Sequence, residues 1–100
     1  MVSKRQHAKI ERLLDGETII SKEPGNSMMP IIKSRNPVKL EPCTWEDCEK
    51  GDIVYCTVKG NCFTHKVYGK NEKKGVLIGN NSGHINGWTR KVYGKVIEIL

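Results

Sequence analysis

The chain has 100 residues, a net charge of +6 and an ordinary hydrophobic content of 37%. A chain of this length is expected to form a single domain with a modest core. No apolar run approaches the roughly 18 residues of a membrane-spanning helix, and residues 1–16 lack the apolar core of a signal peptide. The sequence therefore predicts a cytoplasmic protein without a membrane anchor. Its lysines are scattered, with short clusters such as 70–74, so binding of nucleic acid is expected to be absent or non-specific.

An amphipathic helix is predicted for residues 1–16. Ser3-Lys4-Arg5-Gln6 has the capping-box pattern, and Gly16 is typical of the residue that follows a helix. Ile10, Leu13 and Leu14 fall on one helical face and are predicted to pack on the rest of the protein. One short helix is too little for a helix-turn-helix, so a DNA-reading head is not expected.

The serine turn is the next candidate feature. Turn-forming residues there precede a short apolar run, in the order Pro24-Gly25-Asn26-Ser27-Met28-Met29-Pro30. Pro fixes φ and Gly and Asn tolerate unusual dihedral angles, so Ser27 is predicted at a sharp bend. Met28 and Met29 are expected to be buried and to begin a short helix beside a cleft. Ser27 is thus a candidate nucleophile, and its alternative role is to cap a one-turn helix.

The remaining chain, 17–100, is predicted to form a second unit that is mainly β. Strands are predicted at 17–23, 38–40, 53–58, 62–68, 75–78 and 91–99, with hairpin chemistry at Lys59-Gly60-Asn61. Thr44–Asp47 is predicted to be one helical turn, and 79–89 a polar loop rich in Gly and Asn. The expected fold is a coiled antiparallel β-sheet with one short N-terminal helix.

Four cysteines lie within twenty residues of each other and could be metal ligands. Cys43, Cys48, Cys56 and Cys62 are separated by four, seven and five residues, whereas zinc knuckles usually have two residues between paired thiolates. Disulfides are not expected either, because nothing signals export. Strand alternation should also separate the hairpin cysteines between two faces. We expect free, mostly buried thiols, no bound metal and no cofactor.

Four sequence blocks, taken in chain order, are Gly25-Asn26-Ser27-Met28-Met29-Pro30, Lys50-Gly51-Asp52-Ile53-Val54, Thr64-His65-Lys66-Val67, and Gly79-Asn80-Asn81-Ser82 with Gly94-Lys95-Val96. These blocks resemble the motifs of the signal peptidase and LexA-like self-cleaving repressor superfamily of serine peptidases. Together they span nearly all of the chain after the first helix. The resemblance implies a LexA/signal-peptidase-like fold and a serine endopeptidase that cleaves, or self-cleaves, a peptide bond.

The resemblance also implies catalytic roles. Ser27 matches the family nucleophile, which needs a neighbouring base to take its proton. Some members use a buried lysine as that base and endoplasmic-reticulum-type signal peptidases use histidine, so both His65 and Lys66 are candidates. Because successive strand residues point to opposite faces, His65 and Lys66 cannot both face one cleft. The family resemblance favours His65 as the base, with Lys66 as the alternative. Without that resemblance, a single histidine in a strand is expected to be a hydrogen-bonded structural residue.

The sequence departs from the family pattern in the 79–82 loop and around Ser27. Asn80 occupies the position of the family aspartate and is expected to orient the imidazole without stabilising its charged form. Gly25, Asn26 and Met28 are expected to line the substrate site, with the oxyanion held chiefly by the backbone N–H of Ser27. An Ala-Gly self-cleavage site is not found upstream of Ser27.

Two functional hypotheses remain open at this point. One is an isolated peptidase core of the kind carried by phages and mobile elements, acting on a peptide or protein substrate. The other is a non-catalytic module that binds a peptide or protein on the same fold.

Overall fold

The computed structural model describes residues 2–25 and 27–100, and Met1 and Asn26 lie outside the described residues. The described chain forms one α-helix, α1 (Lys4–Leu14), one 3₁₀ turn (Trp45–Asp47) and seven strands. The strands are β1 (Ile19–Ser21), β2 (Val38–Pro42), β3 (Ile53–Val58), β4 (Asn61–Asn71), β5 (Gly75–Gly79), β6 (Ile85–Thr89) and β7 (Val92–Ile99).

All seven strands of the described residues belong to one antiparallel sheet in the order β1-β2-β7-β3-β4-β5-β6. The predicted class, mainly β with one short N-terminal helix, is therefore confirmed. The predicted hairpin joins β3 to β4, with positive φ values of 51° at Lys59 and 82° at Gly60. The sheet curls until β6 meets β3, where the Thr89 hydroxyl donates a 2.6 Å hydrogen bond to the Thr57 carbonyl.

Helix α1 begins as its sequence predicts. The Ser3 hydroxyl accepts a hydrogen bond from the Gln6 N–H, and the Gln6 side chain accepts one from the Ser3 N–H, which forms the capping box. Ile10 and Leu13 are buried, but Leu14 is 69% exposed, so its predicted packing is wrong. The helix meets the sheet through its Ile10–Leu13 side, and this turns Leu14 towards solvent.

The apolar core lies in two clusters. The first joins α1 and the serine turn to the sheet, with Ile10, Leu13, Ile19, Met28, Ile32, Val38, Leu40, Tyr55 and Cys62. The second contains Cys48, Val54, Cys56, Val58, Val67, Val76, Ile78 and Val92. Cys62 on β4 pairs with Thr57, the residue next to Cys56 on β3, so Cys56 and Cys62 enter different clusters, as strand alternation predicts.

Segment 79–89 differs from its prediction. Residues 85–89 form β6, an edge strand paired with β5, instead of continuing the polar loop. Because Gly and Asn are depleted in strands, the presence of Asn86 and Gly87 argues against a strand here, but pairing with β5 stabilises one. Gly87 adopts φ 138°, a value that side-chain-bearing residues rarely reach. This irregular strand is important because it carries a residue of the candidate site.

Candidate functional site

Ser27 lies in a turn that follows β1. The Ile32 N–H donates a 2.9 Å hydrogen bond to the Met28 carbonyl, which closes a single turn without continuing into a helix. Pro30 has no N–H to donate and so disfavours a regular helix here. Met28 is buried, as predicted, but Met29 is 44% exposed, so its predicted burial is wrong.

His65 links Ser27 to Asn86. Its Nε2 lies 2.9 Å from the Ser27 Oγ, and its Nδ1 lies 2.8 Å from the Asn86 Oδ1. Because an amide oxygen only accepts, the contact with Asn86 assigns the proton to Nδ1. The lone pair of Nε2 then faces the Ser27 hydroxyl, which donates to it. This is the arrangement that a histidine needs to act as a general base.

The imidazole is held by its surroundings as well as by these hydrogen bonds. His65 is only 5% exposed, and the Phe63 ring stacks on it at 4.5 Å between centroids and 14° between planes. Burial lowers the pKa of His65 below its ordinary value of 6.5, partly opposed by the hydrogen bond to Asn86, and the nearby His84 lowers it further. The ring is therefore neutral at neutral pH and ready to accept a proton.

Asn80 does not occupy the position expected for it. Its Oδ1 accepts hydrogen bonds from the Ser82 N–H, the Ser82 hydroxyl and the His84 N–H, at 3.0, 2.9 and 3.0 Å. The side chain thus organises its own loop, while Asn86 contacts the imidazole. The prediction that Asn80 orients His65 is wrong, because the Asn80 side-chain oxygen bonds within the turn that follows it and Asn86 is the residue that contacts the imidazole.

The loop that Asn80 organises supports the serine turn. The Asn81 N–H donates a 2.8 Å hydrogen bond to the Ser27 carbonyl, and its side-chain amide donates a 3.0 Å bond to the Met29 carbonyl. These two bonds fix the backbone on both sides of Met28. The loop therefore positions the candidate nucleophile through its backbone.

Asn86 reaches His65 because of an irregularity in β6. Ile78 pairs with Gly87 and Gly79 pairs with Ile85, so Asn86 is the extra residue of a β-bulge. Bulges redirect a side chain and often lie beside active sites. The sequence analysis missed Asn86, although an Asn-Gly pair inside a short stretch with Ile85 and Trp88 is a signal of such a bulge.

Lys66 and His65 lie on opposite sides of β4, as strand geometry requires. The Lys66 amino group is 5.6 Å from the centroid of the Tyr68 ring. His65 instead bonds to Ser27. The structure thus brings one of the two candidate bases to the serine.

A cleft of about 140 Å³ opens beside Ser27 and His65. Gly25 and Met28 both line it, whereas Asn26, the third predicted substrate-site residue, lies outside the described residues. Glu23 lines another part of the wall, where its carboxylate accepts hydrogen bonds from Tyr55 at 3.0 Å and Gln6 at 3.2 Å. Helix α1 therefore contributes to the cleft through Gln6.

The cysteines do not converge on one point. The Cys43 and Cys48 sulfurs are 3.8 Å apart, while Cys56 and Cys62 are buried in different core clusters. Among residues 2–25 and 27–100, no three His, Cys, Asp or Glu side chains form a group that could hold a metal ion. The α-helix found in this part of the chain is also neither long nor apolar enough to span a membrane.

The fold and the site together define a mainly β protein with a hydrogen-bonded Ser-His-Asn arrangement beside a cleft. No protein-family model matches the chain, and no curated protein shows significant similarity to it. A functional proposal therefore depends on the chemistry of the site and on the sequence blocks that surround it.

Proposed function

We propose that the protein is a serine endopeptidase of the signal peptidase and LexA-like type, which cleaves or self-cleaves peptide bonds through Ser27 and His65. The observation that carries the proposal is the 2.9 Å contact between the Ser27 Oγ and the Nε2 of a buried, neutral His65. A serine hydroxyl is a weak nucleophile, and an adjacent base of this kind activates it.

In the proposed reaction, the Ser27 oxygen attacks the substrate carbonyl while His65 Nε2 takes the hydroxyl proton. The resulting imidazolium gives that proton to the leaving amine as the C–N bond breaks, which leaves an acyl group on Ser27. A water molecule then attacks the acyl carbonyl, losing a proton to His65, and the carboxylic acid product departs as the serine regains its hydrogen. Asn86 holds the ring in the tautomer that both steps use.

The negative oxygen of the tetrahedral intermediate needs hydrogen-bond donors. The backbone N–H of Ser27 is the donor we assign to it. The Gly25 N–H is a poorer candidate, because it already donates to the Ser34 hydroxyl at 3.1 Å. That bond instead holds the segment leading to the nucleophile in place.

The arrangement of the blocks supports the finer proposal of a LexA/signal-peptidase-like fold. The serine follows the first strand, the histidine lies on the second strand of a hairpin, and the 79–82 loop binds the backbone of the serine turn. Residues that resemble the family motifs in the sequence are therefore close together in space.

Acylation of Ser27 by a fluorophosphonate probe, followed by intact-protein and peptide mass spectrometry, tests the proposal. We expect one added probe on Ser27 in the parent, none in Ser27→Ala and at most a trace in His65→Ala. His7→Ala is the matched control, since His7 is exposed and does not line the cleft, and it should react like the parent. An unreactive parent at every pH tested would contradict the proposal.

A non-catalytic peptide- or protein-binding module is the second candidate function. It is favoured by Asn86, because an amide cannot stabilise an imidazolium by charge as a carboxylate does. Peptide binding that persists in Ser27→Ala, together with an unreactive Ser27 in the parent, identifies this function.

A further inference from the structure

Cationic side chains lie over tryptophan rings at the end of the sheet where β4 and β6 stop and β5 begins. The Lys70 amino group and the Arg90 guanidinium carbon are each 6.0 Å from the centroid of the Trp45 ring. The Lys74 amino group is 5.6 Å from the centroid of the Trp88 ring. We call these five residues, together with the adjoining Lys73, the basic aromatic end. They include both tryptophans of the chain and are separate from the Ser27 cleft.

The two tryptophans lie on opposite faces of the sheet. Lys70, which approaches Trp45, pairs with Val76, whereas Trp88 pairs with the next residue, Leu77. Successive strand residues point to opposite faces, so the two cation–π groups flank the same end of the sheet from both sides. The Trp88 ring lies over Gly69, where a Cβ would be 3.9 Å from the ring atom Cη2.

Charge and exposure at this end favour an anionic partner. The connection Lys70-Asn71-Glu72-Lys73-Lys74 has three lysines and one glutamate, and Arg90 and Lys91 follow β6. The Arg90 guanidinium donates to the Lys73 carbonyl, so the two basic segments touch. Trp88, a large aromatic residue on the edge strand β6, is 38% exposed. Clustered cations beside an exposed aromatic ring are the features that hold phosphates and stack bases.

We propose that the basic aromatic end binds single-stranded nucleic acid, with Lys73, Lys74 and Arg90 contacting phosphates and Trp88 stacking on a base. Lys74 is exposed and flexible, so its amino group moves from the indole face to a phosphate when a base arrives. The interaction is independent of sequence, because every base has a face that stacks on an aromatic ring. This surface adds to the proposed peptidase activity and does not depend on it.

A flexible strand fits this geometry better than an anionic membrane does. A membrane surface is a plane and meets one face of the sheet, whereas the cations lie on both faces. A single strand can pass around the end and contact both. Duplex DNA is stiff over the dimensions of this protein, with a persistence length of about 50 nm, and its bases are not free to stack on a side chain.

Fluorescence anisotropy with labelled oligothymidylate and oligouridylate, measured over a range of salt concentrations, tests the inference. We expect both oligonucleotides to bind the parent, and Trp88→Ala to weaken binding by about fivefold or more, the lower end of the effect of losing one stacked base. Trp88→Phe should restore much of the affinity. Lys73→Gln combined with Lys74→Gln should reduce the slope of log K against log salt by about 1.4, at roughly 0.7 for each phosphate contact.

Ile20→Ala and the double change Lys39→Gln with Lys95→Gln are the matched controls. These residues lie on β1, β2 and β7, in the other half of the sheet, and the double change removes the same charge. We expect the first to bind like the parent and the second to keep the parent slope. Circular dichroism of each variant confirms that it is folded.

Three results would overturn the inference. The first is a parent that binds neither oligonucleotide at low salt, including one that binds only vesicles of anionic lipid. The second is equal weakening of binding by the Lys73→Gln, Lys74→Gln double change and by its Lys39→Gln, Lys95→Gln control, which indicates attraction by net charge alone. The third is a folded Trp88→Ala variant with parent affinity, because stacking is then absent.

Discussion

His65 and Asn86 share a 2.8 Å hydrogen bond between Nδ1 and Oδ1 although β5 lies between their strands, β4 and β6. The bulge in β6 makes this contact possible by redirecting the Asn86 side chain. The contact fixes the tautomer in which Nε2 faces Ser27. The candidate site thus depends on an irregular edge strand at the far side of the sheet from β1.

The first prediction concerns Asn86. Asn86→Ala should lower the rate of Ser27 acylation by about 10²-fold, because the ring loses the partner that fixes its tautomer. Asn86→Asp should equal or exceed the parent, since a carboxylate stabilises the imidazolium that forms during reaction. The measurement is the second-order rate constant for the fluorophosphonate probe.

Asn80→Asp is the control for this prediction. Asn80 accepts hydrogen bonds within its own loop and does not contact the imidazole in the described structure. We expect Asn80→Asp to keep a rate close to that of the parent. A faster Asn80→Asp beside an unchanged Asn86→Ala would show that Asn80 is the orienting residue after all.

The second prediction is a pH profile with its rise below pH 6.5. Burial lowers the pKa of His65 from its ordinary value of 6.5, and only the neutral imidazole accepts the serine proton. The acylation rate should therefore increase with pH, reach half its maximum below pH 6.5 and stay level through neutral pH. Asn86→Asp should move the midpoint upwards, because a carboxylate favours the charged ring. A parent midpoint well above pH 7 would instead indicate a lysine base.

The third prediction concerns the acylation rate of a Lys66→Ala variant. The Lys66 amino group lies over the Tyr68 ring and not beside Ser27, so the acylation rate should stay within about twofold of the parent value. His65→Ala, the change at the neighbouring position, should abolish the reaction. The two variants are compared with the same probe at one pH. Loss of reaction in Lys66→Ala with retention in His65→Ala reverses the assignment of the base.

The fourth prediction links the bulge to stability. Gly87 has φ 138°, so Gly87→Ala should lower the free energy of unfolding by at least about 1 kcal/mol and disturb the position of Asn86. Gly69→Ala on β4, two strands away in the same sheet, is the matched control, because a Cβ there meets its nearest atoms at 3.9 Å. Urea denaturation measures the two stabilities, and a Gly87→Ala variant as stable as Gly69→Ala contradicts the strain argument.

The fifth prediction concerns the thiols. Burial raises the pKa of all four thiols, to about 12 for Cys48 and about 11 for Cys62. Cys43 is half-buried whereas the other three are buried, so iodoacetamide should modify only Cys43 in the native protein, and all four cysteines after unfolding. Mass spectrometry locates the adducts. Zinc analysis of the purified protein should show no stoichiometric metal, and zinc that is lost in Cys43→Ser with Cys48→Ser would contradict the prediction.

Local sequence determined much of the architecture. The capping box of α1, the Lys59–Gly60 hairpin and the strand pattern of 53–58 depend on neighbouring residues, and the structure has each of them close to its predicted position. The pairing of Ser27 with His65 was also expected, but from family resemblance combined with strand alternation. Composition and periodicity alone left that histidine as a structural residue.

Only the tertiary structure decided which asparagine meets the imidazole. Asn80 and Asn86 have the same side chain, and although the Asn86-Gly87 pair signals a bulge, neither local sequence shows which side chain reaches His65. The outcome depends on the pairing of β6 with β5, where one extra residue redirects Asn86 while Asn80 satisfies its own turn. The exposure of Leu14 and Met29 was likewise decided by what packs against them. Hydrophobicity determines that a side chain favours burial, but the space left by distant strands determines whether it is buried.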